Sequence, residues 1–360
     1  MIRAEVADAM HAEALRLIGS GAPDGAIVLL SALSFFAPGH LAVRGSLGRA
    51  HHALAKQHLA AGRVEESIAS LNHSLSLSGG GVEAHADLAR ALRLVPDLRS
   101  RTLLLEGGIG DFLQCLPFLK SLGENTRRIL VVTHFKDARS FFARLGIDVM
   151  ELYRFSNLEE LQRVHRAISA TNKLSRCPRQ QYFEQPPFEA RSVAFPHERP
   201  VLGVHLGGSA FSIAIQRQWG VATKNLPVAL LDQLLSTHHF NIILFGTRSE
   251  IDSLAATECD SLRFACDPDV IESLSLAAQC DAFVGSDSAV KTMTSMLRIP
   301  TIVWLADYPD PMRDSVFIDP YVRDRVMQVF RFNGQAADLE KGVRFTLEVL
   351  AGLGLSPKAG

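Results

Sequence analysis

From Arg101 onward, apolar runs of strand length alternate with stretches of helical period, and this alternation confines the chain to a small set of folds. The runs fall at 102–105, 129–133, 149–153, 201–206, 242–245, 282–284 and 301–305. Strands separated by helices pair in parallel, and a parallel sheet has to be covered by helices on both faces. Between residues 176 and 200 the periodicity lapses under Pro178, Pro186, Pro187, Pro196 and Pro200. That stretch reads as a linker between two α/β halves. A chain of 360 residues is long enough for each half to bury its own core.

Residues 1–97 show no such alternation. Ala and Leu recur there at helical spacing, which predicts amphipathic helices. The stretch Gly62-Arg63-Val64-Glu65-Glu66-Ser67-Ile68, followed by Leu71, Leu75 and Glu83-Ala84-His85-Ala86-Asp87-Leu88-Ala89-Arg90-Ala91-Leu92, resembles the core of a tetratricopeptide repeat. A weaker copy runs from Gly21 through Ala26-Ile27 and Pro38-Gly39-His40 to Leu47-Gly48-Arg49-Ala50, displaced by about 41 residues. Two copies are fewer than the roughly three that stand alone, so the module is expected to lean on the next domain or on another subunit. The expected organisation is helical repeats over 1–97, a first Rossmann-like domain over 100–178, a linker over 179–199, a second Rossmann-like domain over 200–335, and a C-terminal helix and tail over 336–360.

Lys and Arg number 37 against 38 Asp and Glu, so the bulk charge offers nothing to attract nucleic acid. An anionic ligand must be held locally. The most apolar stretch, 26–37, is broken by Ser31 and Ser34 and is shorter than the roughly 20 residues that cross a bilayer, so no transmembrane segment is expected. The amino terminus lacks an apolar core of the secretory kind, which makes a cytoplasmic protein the expectation, at most peripheral at the inner membrane. Cys115, Cys177, Cys259, Cys266 and Cys280 form no Cys-x-x-Cys pair, and they read as small buried fillers rather than a disulfide framework or a zinc site. The neighbours His51-His52 and His238-His239 would point apart on a helix, so no metal is expected at either.

Four corners could carry chemistry. Glu106-Gly107-Gly108-Ile109-Gly110-Asp111 joins a strand to a helix beginning near Phe112. Its glycines let a ligand approach the backbone, and the helix start offers unpaired N–H groups. Asp111 reads equally as a capping residue. Val204-His205-Leu206-Gly207-Gly208-Ser209 runs from a strand into a small-residue loop whose N–H groups and Ser209 hydroxyl suit a diphosphate, though a plain turn accounts for the same residues. Gly246-Thr247-Arg248-Ser249-Glu250 places a carboxylate just past a strand end, as for recognition of a ribose diol, or else a solvated glutamate at a helix start. Ala282-Phe283-Val284-Gly285-Ser286-Asp287-Ser288-Ala289 is a strand, a tight turn and a helix start, followed by Ile299-Pro300-Thr301-Ile302-Val303; Asp287 and Ser288 would face an anion there or simply cap the helix.

Taken together and in order, these blocks resemble glycosyltransferase family nine, the ADP-heptose:lipopolysaccharide heptosyltransferases. The phrase from Gly107 to Lys120 is similar to that family's opening motif, a Gly-Asp followed by apolar residues and a proline six positions after the aspartate, here Pro117. The resemblance implies a GT-B fold, two Rossmann-like parallel-sheet domains, here preceded by an all-α tetratricopeptide-like module. It implies an inverting, metal-independent transfer of a heptose-like or other hexose from a nucleotide diphosphate sugar, with no cofactor, to a hydroxyl of a glycan or protein acceptor. Asp111 would be the general base. Gly110, Gly207, Gly208, Ser209, Glu250, Asp287, Ser288, Lys291 and Thr292 would line the donor site. Arg217-Gln218-Trp219 is similar to the family's Lys-x-Trp phrase, with Lys224 as a competing assignment for its cation. Thr292 stands where the family usually has histidine, and the first α/β half is short. Those two departures favour an alternative, a catalytically inactive GT-B-like protein that binds a nucleotide or a partner. A sugar epimerase on the same architecture is a third reading. In each, the helical repeats are the surface for a protein partner or for self-association.

Overall fold

The computed structural model describes residues 4–36, 41–78, 81–98, 101–123, 129–133, 135, 138–154, 174–207, 226–254, 256–306, 316–332 and 336–355. Five helices come first: α1 (Ala4–Gly19), α2 (Pro23–Phe36), α3 (Leu41–Ala60), α4 (Val64–Ser78) and α5 (Gly81–Arg93). The pairs α2–α3 and α4–α5 repeat one another. Their first helices begin at Pro23 and Val64, 41 positions apart. At that offset buried side chains fall on buried side chains: Ala26 on Ser67, Leu30 on Leu71, Leu33 on Ser74, Val43 on Ala84, Leu47 on Leu88 and Ala50 on Ala91. The small residues at the Ala26/Ser67 and Ala50/Ala91 positions let paired helices approach closely, while leucine at Leu30/Leu71 and Leu47/Leu88 fills the space between them.

The rest of the chain forms two parallel sheets. Strands β1 (Thr102–Gly107), β2 (Ile129–Thr133), β3 (Met150–Arg154) and β4 (Leu174–Arg176) make the first, in the order β3-β2-β1-β4. Strands β5 (Val201–His205), β6 (Asn241–Phe245), β7 (Leu262–Ala265), β8 (Ala282–Ser286), β9 (Thr301–Ala306) and β10 (Met327–Phe332) make the second, in the order β10-β9-β8-β5-β6-β7. Every pairing within the two sheets is parallel. Each sheet therefore starts at an interior strand, runs outward to one edge, and returns to the other side of its first strand. The reversal leaves a crevice at the carboxyl ends of β1 and β4 in one sheet, and of β5 and β8 in the other, which is where open sheets of this kind receive ligands. Both sheets follow the doubly wound order.

Alternation along the second sheet assigns its faces. Ile242, Leu244, Ala282, Val284, Ile302 and Trp304 pack under α8 (Val228–Ser236), which follows α6 (Ile109–Leu122) and α7 (Ala138–Arg144) in the chain, and under the C-terminal helix. Ile243, Phe245, Phe283, Val303 and Leu305 turn the other way, into a core shared with the first sheet. That shared core also takes in Ile68, Leu71, Leu75, Leu88 and Leu92 of the repeats together with Phe112, Leu116 and Phe118. The repeats thus lean on the first α/β half through a common apolar interior.

Seven strands lie close to where the apolar runs put them. β4, β7 and β10 were not legible as such runs: β4 is only Leu-Ser-Arg, and β7 and β10, the two edge strands of the second sheet, carry arginine or glutamine. The proline-rich stretch joins the halves as irregular chain, yet it is pinned along its length: Phe183 N–H donates to the Met296 carbonyl at 3.1 Å and the Gln279 side chain exchanges two hydrogen bonds with Val193. Of the cysteines, Cys115, Cys177 and Cys280 are buried fillers, but Cys259 is exposed and Cys266 half-buried; both flank the outer strand β7. No helix among the described residues is long and apolar enough to cross a membrane.

Candidate functional site

The first crevice is built by the turn from β1 into α6 (Ile109–Leu122). Gly107 adopts φ +111°, and a Cβ there would collide with the Asp111 carboxylate, so this corner requires glycine. The helix starts three residues earlier than the apolar pattern suggests, which puts Asp111 in its first turn. There Oδ2 accepts the Gly108 N–H at 2.9 Å, satisfying one of the donors that a helix start leaves open. Oδ1 accepts from the Arg179 guanidinium at 2.6 Å. Both side chains keep about a fifth of their surface exposed, 23% and 20%, so the pair reaches the crevice. Burial works against the charge on Arg179, but the carboxylates of Asp111 and Glu106 prevail and hold its pKa above the ordinary value. Glu106 itself pairs with Arg176 across β1 and β4.

The second crevice is built by β8 turning into α11 (Ala289–Met296), numbered after α9 (Arg248–Ser253) and α10 (Val270–Ser275). Ser286 donates to the Gly207 carbonyl and so ties the end of β8 to the loop after β5. Ser288 is the helix cap, its hydroxyl accepting the Lys291 N–H at 3.3 Å. Lys291 is fully buried; its ammonium lies 3.0 Å from Asp287 Oδ1 and 3.1 Å from the Phe317 carbonyl. Glu250 caps α9: its Oε2 accepts the Thr247 N–H at 2.6 Å, while its Oε1 overlies Gly207, where a Cβ would come within 2.8 Å of it. Gly208, Ser209, Arg217 and Lys224 lie outside the described residues.

The two crevices meet. Gly110 of α6 abuts α11, and a Cβ on it would stand 3.1 Å from Thr292 Oγ1 and 3.8 Å from the Ala289 Cα. Phe317 joins the ion pairs, with Arg179 5.5 Å and Lys291 5.3 Å from its ring centroid. Asp111, Arg179, Phe317, Lys291 and Asp287 therefore form one continuous chain of contacts from the first sheet to the second. Gly110→Val should prise the two helix starts apart, costing about 1–3 kcal/mol in urea unfolding of the full-length chain. A variant as stable as the parent would show that this approach is not tight.

Of the residues singled out in the sequence, Gly110, Asp111, Asp287, Ser288, Lys291 and Thr292 come together at this junction, and Gly207 and Glu250 meet each other beside it. Sequence reasoning missed Arg179, Phe317 and His205. Arg179 sits in the proline-rich linker, and nothing local marks it. His205 lies inside the 204–209 block, whose glycines are its conspicuous feature. The repeats also reach the junction: His85 Nδ1 accepts the Arg179 backbone N–H at 3.3 Å, and His85 and Leu75 line a cavity of about 30 Å³ together with Glu106, Arg176 and Arg179.

No family model matches the chain, and no curated protein matches it. Among solved structures it is similar to the ADP-heptose LPS heptosyltransferase II of E. coli, at 16% identity and a TM-score of 0.39, over 70% of this chain and 98% of that one. It is similar to a family 9 glycosyl transferase from Veillonella parvula DSM 2008 at 12% identity and a TM-score of 0.38, over 73% and 92%. It is also similar to a mutant O-GlcNAc transferase from Thermobaculum terrenum at 14% identity and a TM-score of 0.30, over 99% and 95%.

Proposed function

We propose that the chain is an inverting, metal-independent glycosyltransferase that moves a heptose-like or other hexose from a nucleotide diphosphate sugar to a hydroxyl of a glycan or protein acceptor. The observation that carries this reading is the meeting of two doubly wound switch points, each bearing an aspartate paired with a cation. Such crevices receive nucleotides at the strand ends, and the motif resemblance assigns the first aspartate to the acceptor and the second to the donor. Asp111, held ready by Arg179, takes the proton of the attacking hydroxyl. The first turn of α11, Ser288 and the cation supplied by Arg217 or Lys224 meet the charge that develops on the departing diphosphate. Lys291 acts through Asp287, which it orients. The tetratricopeptide-like helices carry the acceptor or a partner, including a second copy of the chain.

A second reading is favoured by two observations: both oxygens of Asp111 are engaged, and Thr292 occupies the family's histidine position. In that reading the protein binds a nucleotide or a partner without turnover. Calorimetry of the full-length chain with ADP, UDP and GDP sugars, alongside assay of diphosphate release with glycan and protein acceptors, separates the two. Binding with acceptor-dependent release supports the transferase; binding without release supports the second reading; failure to bind any of the three overturns the transferase and leaves only the partner-binding form of the second reading.

A further inference from the structure

His205 ends β5 on the strand face that Gly203 shares with Phe245 and Phe283, the face turned toward the first sheet. Only 9% of it is exposed, and neither ring nitrogen has a hydrogen-bond partner among the described residues. Buried polar groups are almost always paired, and one left open loses its solvation without return. His205 stands at the switch point of the second sheet, in register with Gly285 of β8 and two residues before Gly207, whose carbonyl Ser286 holds. Among the described residues the charged group that acts on the ring is Glu250, whose Oε2 is taken by Thr247 and whose Oε1 overlies Gly207.

We infer that His205 is a ligand-contacting residue of this crevice, exchanging hydrogen bonds with a ribose hydroxyl of a nucleoside diphosphate in partnership with Glu250. This rests on the donor-site reading above. Complementarity decides between the parts of such a ligand. Burial lowers the His205 pKa and outweighs the opposing pull of Glu250, so the ring is neutral and offers one donor and one acceptor. A hydroxyl also gives one hydrogen bond and accepts others, and it suits both the ring and the adjacent carboxylate. A phosphate only accepts, and Glu250 would repel it.

The test is equilibrium binding of ADP, UDP and GDP to the full-length chain, each against its 2′-deoxy and 3′-deoxy counterpart. The wild type should prefer one ribo form over its deoxy counterpart by roughly tenfold, the worth of one hydrogen bond. His205→Phe should lower that preference several-fold, leaving what Glu250 contributes, while its melting temperature without ligand holds or rises, because an apolar ring replaces an unpaired polar one. His205→Gln, which keeps a donor and an acceptor, should retain part of it. An undiminished preference in His205→Phe overturns the assignment and leaves the donor site standing. Should His205→Phe fail to fold, the wild type decides alone: no preference for any ribo form overturns the assignment. Absence of diphosphate binding to the wild type overturns the donor-site reading and this assignment with it.

Discussion

Asp111→Asn is expected to lower sugar transfer by roughly 10²–10⁴-fold, the range for loss of a positioned base, while nucleoside diphosphate affinity stays within about twofold. The asparagine amide keeps the size of the side chain, and its oxygen can still accept the Gly108 N–H that now binds Oδ2, so the start of α6 survives. What it loses is charge and basicity. An amide cannot take the acceptor's proton, and it leaves the Arg179 guanidinium without its nearest counter-ion. Because that partner remains half-buried and unpaired, a modest fall in melting temperature accompanies the loss of turnover. Asp287 and Glu250 are untouched, which is why donor affinity should hold. Single-turnover assays beside calorimetry check the split between rate and binding. Turnover retained in Asp111→Asn removes this residue from the chemistry and shifts weight to the binding-only reading.

The course of the fold was legible because parallel strands covered on both faces are continuous apolar runs; β5, β6, β8 and β9 announce themselves in that way. Three strands escaped because position, not composition, makes them strands. β4 is Leu-Ser-Arg, held by pairing with β1 on one side and by Asn72 of α4 on the other. The glycine corners were legible too, since a Cβ at Gly107 or Gly207 would strike the carboxylates of Asp111 or Glu250, and only glycine admits such approaches. The ion pair that completes the first corner was not. Arg179 follows Pro178 in a segment without periodicity, and its partner lies 68 positions earlier in the chain. Phe317 likewise gains its meaning only from the two cations on its ring. Pairings of this kind are set by tertiary folding, and single-sequence patterns carry no trace of them.

Removing residues 1–97 should leave no cooperatively folded α/β remainder, whereas removing residues 1–40 should leave a soluble chain that still unfolds in a single transition. The contrast follows from where the cores divide. α1 and α2 bury their apolar faces against the first half of α3 in a separate cluster, where Ala14, Ala26, Leu30 and Leu33 meet Val43, Leu47 and Ala50 of α3. α4 and α5 do not: Ile68, Leu71, Leu75, Leu88 and Leu92 belong to the same cluster as Leu103, Leu105, Phe112 and Phe118. Losing them uncovers a contiguous apolar surface of the kind that drives association. It also strips polar partners that no solvent-facing loop supplies. The Asn72 amide donates to the Leu174 carbonyl at 3.1 Å and accepts the Arg176 N–H at 3.0 Å, so one side chain does for the edge strand β4 what a neighbouring strand would. Glu65 pairs with the buried Arg101, and Arg93 lies 5.5 Å over the Phe118 ring. Each orphaned group costs on the order of 1–3 kcal/mol, and a domain's whole stability is about 5–15 kcal/mol, so a few such losses suffice. Size-exclusion chromatography, thermal melting and dye binding to exposed apolar surface would read the difference between the two truncations. A monomeric 98–360 fragment melting within a few degrees of the full-length chain would show instead that the helical repeats are a detachable arm, and would return His85 and its contact with Arg179 to the role of a passing neighbour.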